Sequence, residues 1–218
     1  MQDGGTTQDQ LDQAVQQLSG LTNISITKTN NGETITTGNG TPLVEGSQSY
    51  NLQATTNASG QPAIEDSNGN DITSSITGGT LGGSLQIANT TIPGILTQLN
   101  TLASQFATAF NAAQAEGTDS NGNTGAAFFG GTTDPNTAAA DINVSITSPS
   151  QIAISSDGAG DDNGNVANLS AALTNPLPSG QSAENAYASI VFNVGTARSK
   201  STRLNSSHSI ASRMPSSA

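Results

Sequence analysis

The chain has no cysteine, no tryptophan, two tyrosines, one histidine and five basic residues among 218. Each shortage removes a class of function. Without cysteine there is no disulfide framework, no thiolate metal site and no thiol nucleophile. The single histidine, His208, stands ten residues from the end of the sequence and leaves no basis for His-based catalysis or a His-rich metal site. No stretch approaches the roughly 18 apolar residues of a membrane-spanning helix. The first twenty residues lack the basic start and apolar run of a cleavable secretory signal. Sixteen acids permit many carboxylate pairs, but a chain without Trp and with two Tyr has little to line a sugar-binding cleft, so glycoside hydrolysis is not expected. The reading is a protein that is not an enzyme, with no catalytic residue, no cofactor and no metal.

Apolar side chains are scarce as well. Leu, Ile, Val and Phe together number 40 of 218, and the formal net charge is -11. That balance approaches the composition of a disordered chain, so folding has to be argued from pattern. Charge is also unevenly placed. Residues 1–197 carry one lysine, Lys28, and all 16 acids, whereas Arg198, Lys200, Arg203 and Arg213 fall in the last 21 residues, which hold no acid. A body with one cation cannot track phosphates, and the same shortage removes attraction to an anionic lipid surface. No nucleic acid and no membrane are expected as partners.

Pattern does argue for a fold. Leu11, Ala14, Val15 and Leu18 recur at helical spacing and predict a short amphipathic helix stopped by Gly20. The period then falls to two: Ile24 and Ile26 alternate with polar residues, Asn31-Gly32 turns the chain into Thr34-Ile35-Thr36, and Asn39-Gly40 precedes Leu43-Val44. Tyr50, Leu52 and Ala54 alternate again, followed by Ala63-Ile64, the turn at 66–69 and Ile72. These segments predict one antiparallel meander. Residues 78–83 are glycine-rich and read as a flexible boundary.

The strongest signal follows. Ile92, Ile95, Leu99, Leu102, Phe106, Ala109 and Ala113 keep strict heptad spacing, with Ala103 and Phe110 widening the stripe. Pro93 suits the first turn of a helix, which from Ile92 to Glu116 would run about 37 Å and end at Gly117. Such a seam has two fates, a core within the chain or packing between subunits. Beyond it, Phe128-Phe129 would pin a loop to the core. Ile142, Val144 and Ile146, the turn Ser148-Pro149-Ser150, then Ile152 and Ile154 predict a second hairpin. Val166, Leu169 and Leu173 predict a short helix stopped near Pro176. Ala183, Tyr187, Ile190, Val191 and Val194 form a last helical stripe running into Gly195.

Two loops, starting at Asp66 and Asp119, imitate the opening of an EF-hand. They lack its glycine at position 6 and its glutamate at position 12, so they read as turns. Asp157, Asp161 and Asp162 read as a solvated acidic loop. Gly78-Gly79-Thr80-Leu81-Gly82-Gly83 lacks the lysine of a phosphate-binding loop.

Several blocks, in order, carry a family likeness. Asp9-Gln10-Leu11-Asp12 leads to Leu18-Ser19, then come Gly38-Asn39-Gly40-x-Pro42-Leu43-Val44-x-Gly46 and Gly79-x-Leu81-Gly82-Gly83. Phe110-Asn111-x-x-Gln114-x-x-Gly117 and Asp119-x-Asn121-Gly122 follow. Near the end stand Ala153-Ile154-Ser155-Ser156, Asp161-Asp162-Asn163 and Asn185-Ala186-Tyr187-Ala188-Ser189. Across about residues 9–197 the chain resembles the flagellar hook-associated protein 1 family. The resemblance implies a structural subunit joining the flexible hook to the rigid filament of a bacterial flagellum. It would be exported through the flagellar type III channel without a cleaved signal and would assemble outside the cell. The implied partners are other copies of itself and neighbouring axial proteins, namely the hook and the second junction protein.

The implied fold class is α+β, with rod-like helical bundle segments around one long central helix and an inserted antiparallel β-meander or hairpin domain. The expected parts are an N-terminal rod helix piece at 1–20, a β domain at 21–80, the heptad helix at 81–117, a loop and hairpin at 118–160, a short helix and C-terminal rod helix piece at 161–199, and a non-native tail at 200–218. The assembly seam is expected at Leu11, Val15, Leu18, Ile92, Ile95, Leu99, Leu102, Phe106, Phe110, Tyr187, Ile190 and Val194. Leu11 stands where the family usually has arginine. The family's long terminal helices are missing at both ends, as is its large variable domain between Phe129 and Ile142. From about Arg198 the sequence resembles translated adapter sequence rather than a helix with a heptad. The competing reading is a secreted acidic surface module of adhesin-like or flagellin-related type.

Overall fold

The computed structural model describes residues 3–29, 32–158 and 162–211, with side chains at 7–28, 32–158 and 162–198. The chain is α+β and divides into two compact units, 1–93 with 196–218, and 94–195.

The first unit opens with α1 (Asp3–Leu21) and a four-stranded antiparallel sheet, β1 (Ile24–Thr29), β2 (Gly32–Thr37), β3 (Pro42–Glu45) and β4 (Gln48–Ser49), paired in that order. Thr29 pairs with Gly32 across the first turn, and Asn31 lies outside the described residues. Gly46 at the third turn has a φ of 60°, a backbone state that suits glycine. The expected single meander is divided. A separate hairpin, β5 (Gln53–Thr56) and β6 (Pro62–Glu65), forms its own two-stranded sheet. Ile72 joins it through a backbone bond to Ile64 rather than as a strand. Ile64, Ile72, Ile76 and Leu85 bury together, with Leu52 and Leu81 packed against them.

Leu81 and Leu85 come from α2 (Gly79–Gln86), which corrects the expected flexible boundary at 78–83. The glycines are there because backbones meet. A Cβ on Gly79, at φ 66°, would collide with the backbone of Leu21 and Thr22, and one on Gly82 with that of Thr77. Thr80 Oγ1 donates to the Gly20 carbonyl at 3.2 Å, fixing the start of α2 against the end of α1. A π-helical turn (Ile87–Thr91) separates α2 from α3 (Ile92–Ala115), so the helix expected over 81–117 begins earlier and is interrupted.

The second unit is built on α3. After it come β7 (Phe129–Gly130), α4 (Ala138–Asp141), β8 (Asn143–Val144), a 3-10 turn (Pro149–Gln151) and α5 (Val166–Thr174). The hairpin expected between 142–146 and 152–154 does not form. Val144 pairs with Phe129, and Ser155 bridges Thr118. Between them Ser148 and Gln151 make a reciprocal capping box that curls the chain into the 3-10 turn. The last helix, α6 (Ala183–Ala211), runs through Gly195 and on to Ala211, so neither the expected stop at Gly195 nor a non-helical tail from Arg198 is found.

Candidate assembly surfaces and the polar anchors beneath them

Of the four buried positions of α3 only Ala113 belongs to its apolar seam. Asn100, Ala107 and Gln114, spaced by seven, are 8%, 0% and 0% exposed. The carboxamides on and beside this face each hold a loop by its backbone. Asn111 Oδ1 accepts from Phe128 N (2.8 Å) and Phe129 N (2.9 Å), while its Nδ2 donates to the Phe129 carbonyl (2.8 Å). Asn100 Oδ1 accepts from Ala139 N at 2.9 Å, and its Nδ2 donates to the Asn136 carbonyl. Gln114 Nε2 donates to the Gln151 carbonyl at 2.7 Å. A carboxamide offers a donor and an acceptor in one plane, so it pairs with a peptide as a neighbouring strand would.

The end of α3 is closed in the same way. Its last carbonyls have no partner within the helix. Asn165 supplies one, its Nδ2 donating to Ala113 (2.9 Å) and Ala153 (2.7 Å) while its Oδ1 accepts from Asn168. Gly117 is glycine because a Cβ there would collide with Asn165 Nδ2 and the Ala153 carbonyl. Above these bonds Phe106, Phe110, Phe128 and Phe129 form a ring cluster with centroids 4.8–6.3 Å apart in contacting pairs.

The seam residues are distributed over both units. Leu11, Val15 and Leu18 are half-buried on α1. Ile92 is 49% exposed, and Ile95, Leu99, Leu102, Phe106 and Phe110 are half-buried on α3. On α6, Ile190 is buried, whereas Tyr187 and Val194 are exposed in one stripe with Val191, and Phe192 is 73% exposed. Apolar periodicity located these helices but missed the amide anchors, because it weighs only apolar positions. One signal was in the text: the block Phe110-Asn111-x-x-Gln114-x-x-Gly117 contains two anchors and the glycine that seats a third.

The acidic loops spend their carboxylates on their own backbones. Asp66 Oδ1 accepts from Asn68 N (2.8 Å) and Asn70 N (2.9 Å), and Asp119 Oδ1 from Asn121 N and Asn123 N. The Asn70 side chain and backbone hold Asp66 below the usual carboxylate range, and the Asn123 N–H does so for Asp119. Asp162 is lowered furthest, chiefly by the Ser156 backbone N–H and hydroxyl. Asp161 lies outside the described residues. Among the described residues no group of three His, Cys, Asp or Glu could hold a metal ion. A broad depression of about 760 Å³ beside α6, bordered by Pro176, Gln181, Asn185, Ser189 and Phe192, has no carboxylate in its lining.

These features define an α+β structural module whose polar side chains serve its own backbone. The model of the flagellar hook-associated protein FlgK helical domain matches residues 3–129, more than half of the chain, and the chain belongs to that family. A solved structure, the flagellar hook junction protein FlgK from Burkholderia pseudomallei, is 32% identical over 56% of this chain and 24% of that one, with a TM-score of 0.49. The chain thus spans about a quarter of that protein's length. Comparison with the curated proteins finds no match.

Proposed function

We propose that the chain acts at the hook–filament junction of a bacterial flagellum, as a structural subunit working outside the cell after export without a cleaved signal. The match of the hook-associated helical domain over residues 3–129 carries this reading. Its partners are copies of itself and the neighbouring axial proteins. The apolar positions left exposed on helices, Ile92 and Leu96 on α3 and Tyr187, Val191 and Val194 on α6, supply surface for side-by-side helix packing. No step of bond making or breaking is assigned to it.

The test is a graft. Residues 3–129 replace the matched part of a hook junction protein in a flagellated bacterium, and cells are scored for attached filaments. The reading expects filaments to stay on the hooks. Filaments shed into the medium, with the chimaera exported and folded, would contradict it.

A further inference from the structure

We propose that Asn163-Gly164 is a self-modifying site, where asparagine is converted to aspartate or isoaspartate with water as the only co-reactant. The Gly164 amide nitrogen attacks Asn163 Cγ as its proton passes to the Asp162 carboxylate. The N–Cγ bond forms, the Cγ–Nδ2 bond breaks, and the side-chain nitrogen leaves as ammonia. Water then opens the resulting five-membered imide at either carbonyl. Glycine favours the attack because it has no side chain to block the approach.

The sequence contains five Asn-Gly pairs, and four have both residues described, at 39–40, 68–69, 121–122 and 163–164. The first three of these share one turn. Gly40, Gly69 and Gly122 have φ of 91°, 80° and 81°, and each N–H donates to the carbonyl three residues back, at 2.9, 3.0 and 3.0 Å. A second backbone bond closes each turn, from Thr37 N to the Thr41 carbonyl, Asp66 N to Asn70 and Asp119 N to Asn123. A peptide carbonyl accepts a hydrogen bond but takes no proton near neutral pH, so these nitrogens stay protonated and held. The Asn39 and Asn121 side chains are tied as well, to Thr41 and Asp119.

Asn163-Gly164 lies outside such a turn. Gly164 has no positive φ, and its N–H donates to a carboxylate, Asp162 Oδ1, at 3.0 Å. Asp162 Oδ2 is fixed by the Ser155 hydroxyl (3.1 Å) and the Ser156 hydroxyl (2.8 Å), which leaves Oδ1 against the Gly164 proton. Bonds from Ser156 also keep this carboxyl ionised at neutral pH. The Asn163 side chain is exposed and makes no hydrogen bond among the described residues.

The consequence falls on the end of α3. Asn163 stands two residues before Asn165, whose Nδ2 holds the Ala113 and Ala153 carbonyls and whose N–H donates to Ile154 at 2.9 Å. An isoaspartate routes the main chain through Cβ and Cγ, lengthening it by one carbon just ahead of that anchor.

The test is peptide mapping by mass spectrometry of the full chain held for weeks at neutral pH, folded and in urea, with isoaspartate told from aspartate by fragmentation. In the folded chain, conversion at Asn163 should run about fivefold or more ahead of Asn39, Asn68 and Asn121, whose turns must open first. In urea the four rates should converge. Asp162→Asn, which keeps an acceptor but no base, should slow conversion at Asn163. In the isoaspartate form the Asn165 N–H should lose its protection from hydrogen exchange. Conversion at Asn163 no faster than at the other three, or a lead that persists in urea, would overturn the proposal. An unchanged or faster rate in Asp162→Asn would remove the carboxylate from the reaction, and retained protection at Asn165 would remove the effect on α3.

Discussion

The two units of this chain solve the same shortage of apolar residues differently. The first concentrates what it has: Ile64 from a hairpin, Ile72 and Ile76 from either side of a 3-10 turn at Thr73–Ser75, and Leu85 from α2 bury against one another in the conventional way. The second buries a polar helix face and holds its loops by carboxamides, with Ala107, Ala138 and Ala153 fully enclosed where elements approach closely. An apolar contact tolerates small shifts, whereas an amide paired with a peptide fixes both distance and register. A sequence rich in Asn, Gln and Gly can therefore specify one structure with few large side chains when its amides find partners. Asn100, Asn111 and Asn165 do so through both ends, and Gln114 through its Nε2 alone, its buried Oε1 having no hydrogen-bond partner among the described residues.

The difference can be broken most sharply by truncation in the first unit. Ile76→Ala, at a site 3% exposed, should cost roughly 2–5 kcal/mol through lost burial and the cavity left behind. Hydrogen exchange should then rise across β6 and α2 while protection at Asn100 and Gln114 is retained. In the second unit Asn165→Leu should cost about 3 kcal/mol, since it orphans the Ala113 and Ala153 carbonyls in a buried place. Urea denaturation followed by exchange at the end of α3 would read this, with β1–β4 unaffected.

A smaller effect concerns acid. Asp66, Asp71, Asp119 and Asp162 are all held below their ordinary values by hydrogen bonds from their own loops, with the Thr73 side chain foremost at Asp71. A carboxylate whose pKa is lower folded than unfolded contributes stability that is complete above the unfolded value, about 3.9, and is lost as pH falls through the folded one. Stability should thus be flat from neutral down to about pH 4 and decline below it, in both units alike, as followed by circular dichroism across a pH series. The smallest effect belongs to Asn121→Ala. Its side chain is exposed and makes only long bonds, 3.3 Å to Asp119 and 3.5 Å to Ser150, so the melt should move by less than about 0.5 kcal/mol.

Periodicity was enough to find α1, α3 and α5, because each sets an apolar stripe against a polar remainder, and turn dipeptides placed the strands of the first sheet. It failed where tertiary pairing overrode a local pattern. Ile142, Val144 and Ile146 alternate like a strand facing 152–154, yet Val144 pairs with Phe129, fifteen residues upstream, and is itself exposed. Gly79 and Gly82 read as slack because glycine is a poor helix former, whereas their role is to let two backbones touch. Gly195 read as a stop because it follows the last apolar residue of the stripe, but α6 continues through it. The buried face of α3 was hidden for a related reason: Asn100 and Gln114 count as surface in any hydrophobicity pattern, and only the pairing of their amides shows otherwise.

Family membership gives these anchors a wider meaning. Asn111, Gln114 and Gly117 sit in one of the blocks that carried the likeness to hook-associated proteins, and Leu43, Gly79 and Gly82 sit in others. Each is fixed here by burial, a hydrogen bond or a close backbone approach.

The most direct test of the amide-anchored unit is residue-resolved hydrogen exchange at Phe128, Phe129 and Ala139, whose N–H groups donate to Asn111 and Asn100. The account predicts strong protection at all three in the parent chain, and loss of protection at Phe128 and Phe129 alone in Asn111→Leu. Unprotected exchange at these amides in the parent, or protection that survives the substitution, would contradict it.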